Sequence, residues 1–245
     1  MKIALIGKNS ADLRPLIDAF PGFTLIDDPR QADTIVAYGG DGTLIGAEHT
    51  YPGIPKLGIR DGRVCQKCAR HADADVLARL ASGTAVRTEL LKLVVAVHGR
   101  SIWGLNDILL RNSDIRAAVR FSVTVNSEPL TDEVIGDGLV VATPFGSSAY
   151  FRSISNTTFR TGIGIAFNNC TDFGNHVVLR PEDRIRVDVI RGPAHVTADN
   201  NPTIEALESG DSLTISRAPD PAVIVAPDTL RCGNCRYTNA PRRRF

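Results

Sequence analysis

The chain reads Tyr38-Gly39-Gly40-Asp41-Gly42-Thr43 directly after the apolar run Thr34-Ile35-Val36-Ala37, and this turn indicates both a fold and a chemistry. Glycines adopt positive φ and let an anion approach the main-chain N–H groups, so the turn is typical of a phosphate-binding loop. A carboxylate there would repel phosphate unless it serves a metal ion or takes a proton from an attacking hydroxyl. The sequence therefore favours kinase chemistry at Asp41. The alternative is an ordinary strand-to-helix turn in which Asp41 caps the helix that begins near Thr43.

Composition excludes several broad classes of function. The 245 residues carry 28 Lys and Arg against 27 Asp and Glu, a net charge of +1. Such a balance gives no general attraction to nucleic acid or to an anionic membrane, so we expect neither as a partner. No apolar run approaches the length of a membrane span, and the N-terminal run is too short for a signal peptide. We therefore expect a cytoplasmic protein.

The pattern of apolar runs predicts two domains of different class. Strands and helices alternate from Ile3 to Leu80, with the glycine turn at the end of a strand, where open α/β sheets bind ligands. Beyond that, short strands separated by Gly, Asn and Asp are typical of an antiparallel β domain. We predict an α+β chain with a small N-terminal α/β domain, residues 1–85, and a larger C-terminal antiparallel β-sandwich, residues 86–221. Residues 222–225 again have the composition of a strand.

Two later motifs add polar groups suited to a nucleoside. Leu105-Asn106-Asp107-Ile108 places an amide beside a carboxylate before an apolar strand, a pairing that hydrogen-bonds sugar hydroxyls or a base edge. The alternative is a plain Asx turn. A second strand, which follows Asp137-Gly138, runs into Thr143-Pro144-Phe145-Gly146-Ser147-Ser148-Ala149-Tyr150. This turn offers N–H and O–H donors, and Tyr150 offers a flat face on which a base can stack.

In the order and spacing of these three motifs the chain resembles the NAD kinase family, part of the wider group of diacylglycerol and sphingosine kinases. The resemblance covers residues 1–150 well and the remainder as a β domain only. It implies transfer of a phosphoryl group from ATP, with Mg²⁺, to the 2′-hydroxyl of the adenosine ribose of NAD. Asp41 would then be the general base or the charge that orients this hydroxyl.

The resemblance also implies roles for the other motif residues. Phosphates would be held by Gly39, Gly40, Gly42 and Thr43. The ribose and adenine of NAD would be bound by Asn106 and Asp107. The adenosine pocket and its polar turn would comprise Thr143, Ser147, Ser148, Ala149, Tyr150 and Ser153. Asp137 would contact NAD across a subunit interface, because sites in this family are commonly completed by a neighbouring protomer, and a homodimer or homotetramer is expected.

The chain departs from the family pattern after Ile59. There the family usually has Asn-x-Gly-x-Leu-Gly-Phe-Leu, whereas this chain continues from Arg60 through Arg63 to Cys68 and keeps only Gly62. Arg60 and Arg63 would supply new positive charge for phosphate. The second motif has Asp107 where most members have Glu, and the shorter side chain reaches less far. These differences leave the choice of phosphoryl donor and acceptor open.

Four of the five cysteines form two C-x-x-C pairs, Cys65 with Cys68 and Cys232 with Cys235. In the resembling family the C-terminal segment, here residues 222–245, returns to the first domain, which would bring the pairs together as a tetrahedral structural Zn²⁺ site. Alternatives are two redox pairs, a disulfide, which a reducing cytoplasm disfavours, or unrelated thiols.

Two other functions remain open from the sequence. A kinase of the same fold acting on another hydroxyl, such as that of a lipid, would need a long apolar groove. A zinc-stapled sensor that binds NAD without turnover would explain the altered segment after Ile59.

Overall fold

The computed structural model describes residues 1–63, 72–171 and 174–230. The chain forms two compact units, one from Met1–Leu90 together with the segment that starts at Pro221, and one from Leu91–Asp220. All four cysteines predicted to bind zinc, Cys65, Cys68, Cys232 and Cys235, lie outside the described residues. None of the helices in the described part of the chain is long and apolar enough to cross a membrane.

The first unit is built on a sheet of six strands. These are β1 Lys2–Ile6, β2 Thr24–Leu25, β3 Thr34–Gly39, β4 Lys56–Arg60, β5 Arg87–Leu90 and β18 Ala222–Val225. Their order is β2-β1-β3-β4-β18-β5, and every neighbouring pair is parallel except β18 with β5. All residues of β3 and β4 are buried, as expected for the central strands of a parallel sheet.

Three helices accompany this sheet: α1 Arg14–Asp18, α2 Asp41–Thr50 and α3 Asp73–Ala81. Three short 3₁₀ helices span Ser10–Leu13, Pro29–Gln31 and Pro227–Thr229. The sequence pattern from Ser10 to Phe20 predicts a single helix, and this prediction is wrong, because a 3₁₀ turn comes first and α1 starts afresh with Pro15 in its first turn. The same pattern predicts Ser10 as the N-cap, whereas Asn9 is the N-cap of the 3₁₀ turn.

The second unit is a sandwich of two antiparallel sheets, which confirms the predicted fold class. One sheet has the order β10-β9-β14-β17-β6-β7 and the other β13-β12-β11-β8-β15-β16. The strands are β6 Leu93–Val97, β7 Arg100–Gly104, β8 Asp107–Asn112, β9 Val119–Val125, β10 Glu128–Gly136, β11 Gly138–Ala142, β12 Ile163–Asn168, β13 His176–Leu179, β14 Ile185–Arg191, β15 Ala194–Ala198, β16 Glu205–Leu207 and β17 Ser212–Arg217.

Inward-facing residues of both sheets form one core. Burial alternates along β9 and β14, the period expected of strands with one covered face. Phe121 of β9 stacks on Phe167 of β12, with ring centroids 6.5 Å apart, so aromatic rings from the two sheets meet in this core. A 3₁₀ turn at Gly146–Ser148 and the short helix α4 Tyr150–Ser155 follow β11.

Candidate active site

The glycine turn follows the end of β3, as the sequence predicted, and leads directly into α2. Gly40 is the N-cap of α2, and its carbonyl accepts hydrogen bonds from the N–H groups of Thr43 at 3.1 Å and Leu44 at 3.3 Å. Gly40 has φ −109° and Gly39 is not among the positive-φ residues, so neither glycine uses the positive φ that its residue type allows. Position 39 instead has no room for a side chain, because a Cβ there would lie 2.2 Å from the Thr43 hydroxyl oxygen.

Asp41 is the first residue of α2, where the partial positive charge of a helix N-terminus stabilises a carboxylate. The alternative in which Asp41 caps a helix beginning near Thr43 is wrong, since Gly40 occupies the cap position. The Asp41 side chain is 13% exposed, and its Oδ1 lies 3.6 Å from Nη2 of Arg60. The turn therefore presents an ion-paired carboxylate beside its main-chain N–H groups.

The two arginines after Ile59 both contact carboxylates of this unit. Arg60 ends β4, beside Gly39 of β3 in the strand register, and its buried guanidinium also donates to the carbonyl oxygen of Leu230. Arg63 donates from Nε to Asp61 Oδ1 at 2.9 Å and from Nη2 to Asp12 Oδ2 at 2.8 Å. Hydrogen bonds from Arg63 and Asn9 hold the pKa of the Asp61 carboxyl well below its usual range.

In the second unit the Asn-Asp motif and the polar turn are brought together. β8 and β11 pair so that Asp107 lies opposite Ala142. Next to this pair, Thr143 donates from its N–H to Asn106 O at 2.8 Å and from its hydroxyl to Leu105 O at 2.7 Å. The same hydroxyl accepts from the Gly146 N–H at 2.9 Å, so the buried Thr143 side chain fixes both motifs rather than facing a ligand.

Gly146 is required by this close approach, because a Cβ there would lie 2.0 Å from the carbonyl oxygen of Asn106. Asn106 itself is half-buried. Within the described part of the chain its Oδ1 is buried without a hydrogen-bond partner, which leaves an acceptor for a donor group of a ligand. Gly138, at the start of β11, does have a positive φ of +134°.

Asp199 is a residue of this region that the sequence did not reveal. Its carboxylate accepts the N–H groups of three successive residues: Leu105 at 2.6 Å, Asn106 at 2.7 Å and Asp107 at 3.0 Å. Burial, together with the negative charge of Asp199, raises the pKa of Asp107 to about 7. The Asp107 carboxyl can therefore donate as well as accept a hydrogen bond near neutral pH.

The polar turn supplies fewer free hydroxyls than its sequence suggested. The buried Ser147 hydroxyl lies 2.8 Å from Pro144 O and 3.1 Å from Phe159 O. Ser153 is exposed and donates to Tyr150 O at 2.7 Å, while Ser148 and Ala149 are half-buried. The turn is thus stabilised largely by its own side chains.

A cavity of about 450 Å³ opens next to this turn. Its walls comprise Tyr150, Ser153, Ile154, Phe167, Asn168, Asn169, Cys170 and Asn175. The Tyr150 hydroxyl accepts from Asn168 Nδ2 at 3.4 Å, and Asn169 Nδ2 donates to Asp137 Oδ2 at 3.3 Å. Burial raises the pKa of the Cys170 thiol to about 11, so this thiol stays protonated. The mixture of two aromatic rings and several amides suits a planar polar ligand.

Several known proteins share this architecture. The crystal structure of yeast NADH kinase complexed with NADH matches with a TM-score of 0.79 at 16% identity, covering 96% of this chain and 84% of that one. An NAD kinase from Archaeoglobus fulgidus in complex with ATP matches with a TM-score of 0.73 at 18% identity, covering 96% and 95%. The chain therefore has the same fold as these two kinases.

Sequence similarity narrows the class to one family. Residues 105–226 match the model of the ATP-NAD kinase C-terminal domain. An NAD kinase of Gemmatimonas aurantiaca is 31% identical over 209 residues, which cover 79% of this chain and 72% of that protein. An NAD kinase of Oleidesulfovibrio alaskensis is 28% identical over 217 residues, covering 82% and 74%. The chain belongs to the NAD kinase family, as the three motifs predicted.

Proposed function

We propose that this chain is an NAD kinase that transfers the γ-phosphoryl group of ATP to the 2′-hydroxyl of the adenosine ribose of NAD. The observation that carries the role of Asp41 is its carboxylate at the N-terminus of α2, directly after the buried strand β3. The 2′-oxygen attacks the γ-phosphorus as the bond to the β–γ bridging oxygen breaks, and ADP leaves. Asp41 orients the hydroxyl and accepts its proton, so the products are NADP and ADP.

The glycine turn would hold the phosphates. Main-chain N–H groups at the start of α2 and the hydroxyl of Thr43 are the donors available there, and the helix N-terminus favours negative charge. Mg²⁺ would arrive as part of the substrate, bound to the phosphate oxygens of ATP, and would neutralise charge on them. Most of the rate enhancement would come from positioning and electrostatics, because no covalent intermediate is needed.

The second unit would recognise NAD. The buried Oδ1 of Asn106 would accept a hydrogen bond from the nucleoside, and the Asp107 carboxyl would donate or accept one according to its protonation. Tyr150 and the amide side chains of the adjoining cavity would take a flat ring by stacking and hydrogen bonding. Asp137, held by Asn169, would contact NAD bound to a neighbouring protomer of a homodimer or homotetramer.

The proposal includes a structural zinc ion and a cytoplasmic location. Cys65, Cys68, Cys232 and Cys235 have the paired spacing that tetrahedral zinc sites use, and thiolate ligands require a reducing compartment. Elemental analysis of the purified protein tests the zinc site, for which we expect one zinc atom per chain.

The direct test is product formation by the purified chain with NAD, ATP and MgCl₂. We expect NADP, detected by a dehydrogenase specific for the 2′-phosphate, with ADP released in equal amount. NAD binding without consumption of ATP would instead identify a sensor. Phosphorylation of diacylglycerol vesicles but not of NAD would identify a kinase for another hydroxyl.

A further inference from the structure

Arg60 bridges the candidate catalytic carboxylate and the last described residue of the chain. Its side chain is only 5% exposed, and its Nη2 lies 3.6 Å from Oδ1 of Asp41. The same nitrogen donates to the carbonyl oxygen of Leu230, which is 170 residues away in sequence. The guanidinium is therefore directed into the unit, toward a carboxylate and a carbonyl that it contacts together.

The carbonyl end of this bridge is itself fixed. The 3₁₀ turn before Leu230 is attached to β4 by the Thr229 hydroxyl, which donates to Gly58 O at 2.9 Å. The Leu230 side chain packs over Gly58 so closely that a Cβ at position 58 would lie 2.2 Å from Leu230 Cδ2. Asp228 accepts two hydrogen bonds from the guanidinium of Arg79, at 2.8 and 3.0 Å. The carbonyl oxygen that accepts the Arg60 hydrogen bond is therefore held in place by its surroundings, and we call this Leu230 segment the anchor.

We propose that Arg60 is a positioning residue that holds the Asp41 carboxylate through this anchor, rather than a ligand of the phosphates. The inference rests on the proposed function, because it assigns Asp41 to the reaction. Burial and the neighbouring carboxylate leave little of the arginine's charge for a nucleotide. A planar guanidinium can contact a carboxylate and a carbonyl together, which the single ammonium of lysine does less well.

The inference makes the Arg60 effect conditional on Asp41, which a double-mutant cycle measures. The variants are R60Q, D41N and R60Q/D41N, with kcat and both KM values determined for NADP formation. We expect R60Q to lower kcat roughly 10- to 100-fold, with KM for ATP and for NAD changed less than about 3-fold. In the D41N background the same change should lower kcat by less than about 3-fold, because the group that Arg60 positions is gone.

A matched control is R14Q, which removes an exposed arginine of the same unit whose contact with Asp27 is a surface ion pair at 3.9 Å. It should leave kcat within about 2-fold of wild type. Circular dichroism and thermal melting report whether each variant folds. If R60Q does not fold, R60K tests whether Arg60 positions Asp41. A kcat loss of about 5-fold or more at an unchanged melting temperature supports the inference, whereas wild-type kcat overturns it.

Two outcomes separate this inference from the proposed function. A wild-type chain that makes no NADP overturns the proposed function, and the inference with it. An active wild type in which the R60Q and D41N losses multiply, or in which R60Q chiefly raises KM for ATP, overturns only the Arg60 inference. A rise chiefly in KM for ATP would indicate instead that Arg60 binds the phosphates.

Discussion

The Asp199 carboxylate should stabilise the main chain of the Asn106-Asp107 segment by its hydrogen bonds, and Asp199→Asn tests this role. The carboxylate accepts three main-chain N–H groups at 2.6 to 3.0 Å. Hydrogen bonds to charged groups contribute about 1.5–3 kcal/mol each, and a buried donor left without a partner costs about 1–3 kcal/mol. Asparagine keeps one oxygen, which can still accept two of the three N–H groups, while its NH₂ faces the third. We therefore expect D199N to lower the free energy of unfolding by roughly 2–4 kcal/mol.

The assay is urea unfolding followed by tryptophan fluorescence. Trp103, in β7, is the single tryptophan of the chain, so its emission reports on the β-sandwich unit that contains Asp199. The matched control is D188N, because Asp188 forms a surface ion pair with Arg186 and its loss should change the free energy of unfolding by less than about 1 kcal/mol. NAD affinity measured by calorimetry should fall for D199N but not for D188N. If the two variants unfold within about 0.5 kcal/mol of each other and bind NAD equally, the role assigned to Asp199 is wrong.

Three further predictions concern other parts of the chain. Gly39→Ala should destabilise the first unit by about 1–3 kcal/mol and reduce NADP formation, because the new Cβ would clash with the Thr43 side chain. The control Gly46→Ala, where a Cβ meets open space in α2, should raise the melting temperature slightly. The pKa of Asp107 rises from 3.8 to about 7 on folding, so the folded state holds this proton more tightly than the unfolded state. The free energy of unfolding should therefore fall by an amount on the order of 4 kcal/mol as pH rises from about 4 to about 7, and stay level above that. Urea unfolding across this range should show this pH dependence in wild type and not in D107N. Lys56→Met should lower the free energy of unfolding by about 3–5 kcal/mol, because it removes the ion-pair partner of the buried Glu48 carboxylate. A double variant with Glu48→Leu should recover most of this loss in thermal melts followed by circular dichroism. No recovery would show that the buried charge is not the cause.

The sequence predicted those parts of the fold in which a local pattern and the tertiary environment agree. The apolar run before Gly39 became the buried strand β3, and the segment from His176 to Leu179, whose composition predicts a strand, forms β13 with the same limits. The long strand β10 was not predicted. It lies at the edge of its sheet and contains Pro129 and a charged stretch, so it lacks the clear alternation of a strand with one buried face. The six-residue helix α4 was also missed, because it is too short to show a helical period.

The candidate site was predicted only as far as its motifs reach along the chain. The contact of Asp199 with Leu105 spans 94 residues, and that of Arg60 with Leu230 spans 170, and no local spacing encodes either. The hydroxyls of Thr143 and Ser147 read as ligand donors in the sequence. In the structure they bond main-chain groups of the turn and of neighbouring segments, Leu105 O for Thr143 and Pro144 O and Phe159 O for Ser147, because buried main-chain polar groups need partners inside the protein.

In the proposed reaction the Asp41 carboxylate acts on a hydroxyl of bound NAD, and comparing wild type with Asp41→Asn tests this role. Asparagine keeps the shape of the side chain but cannot accept the proton. We expect NAD binding, measured by calorimetry, to be retained within about 3-fold while kcat for NADP formation falls by roughly 10²–10⁴-fold. A folded D41N variant that forms NADP at nearly the wild-type rate would show that the Asp41 carboxylate does not act on this hydroxyl.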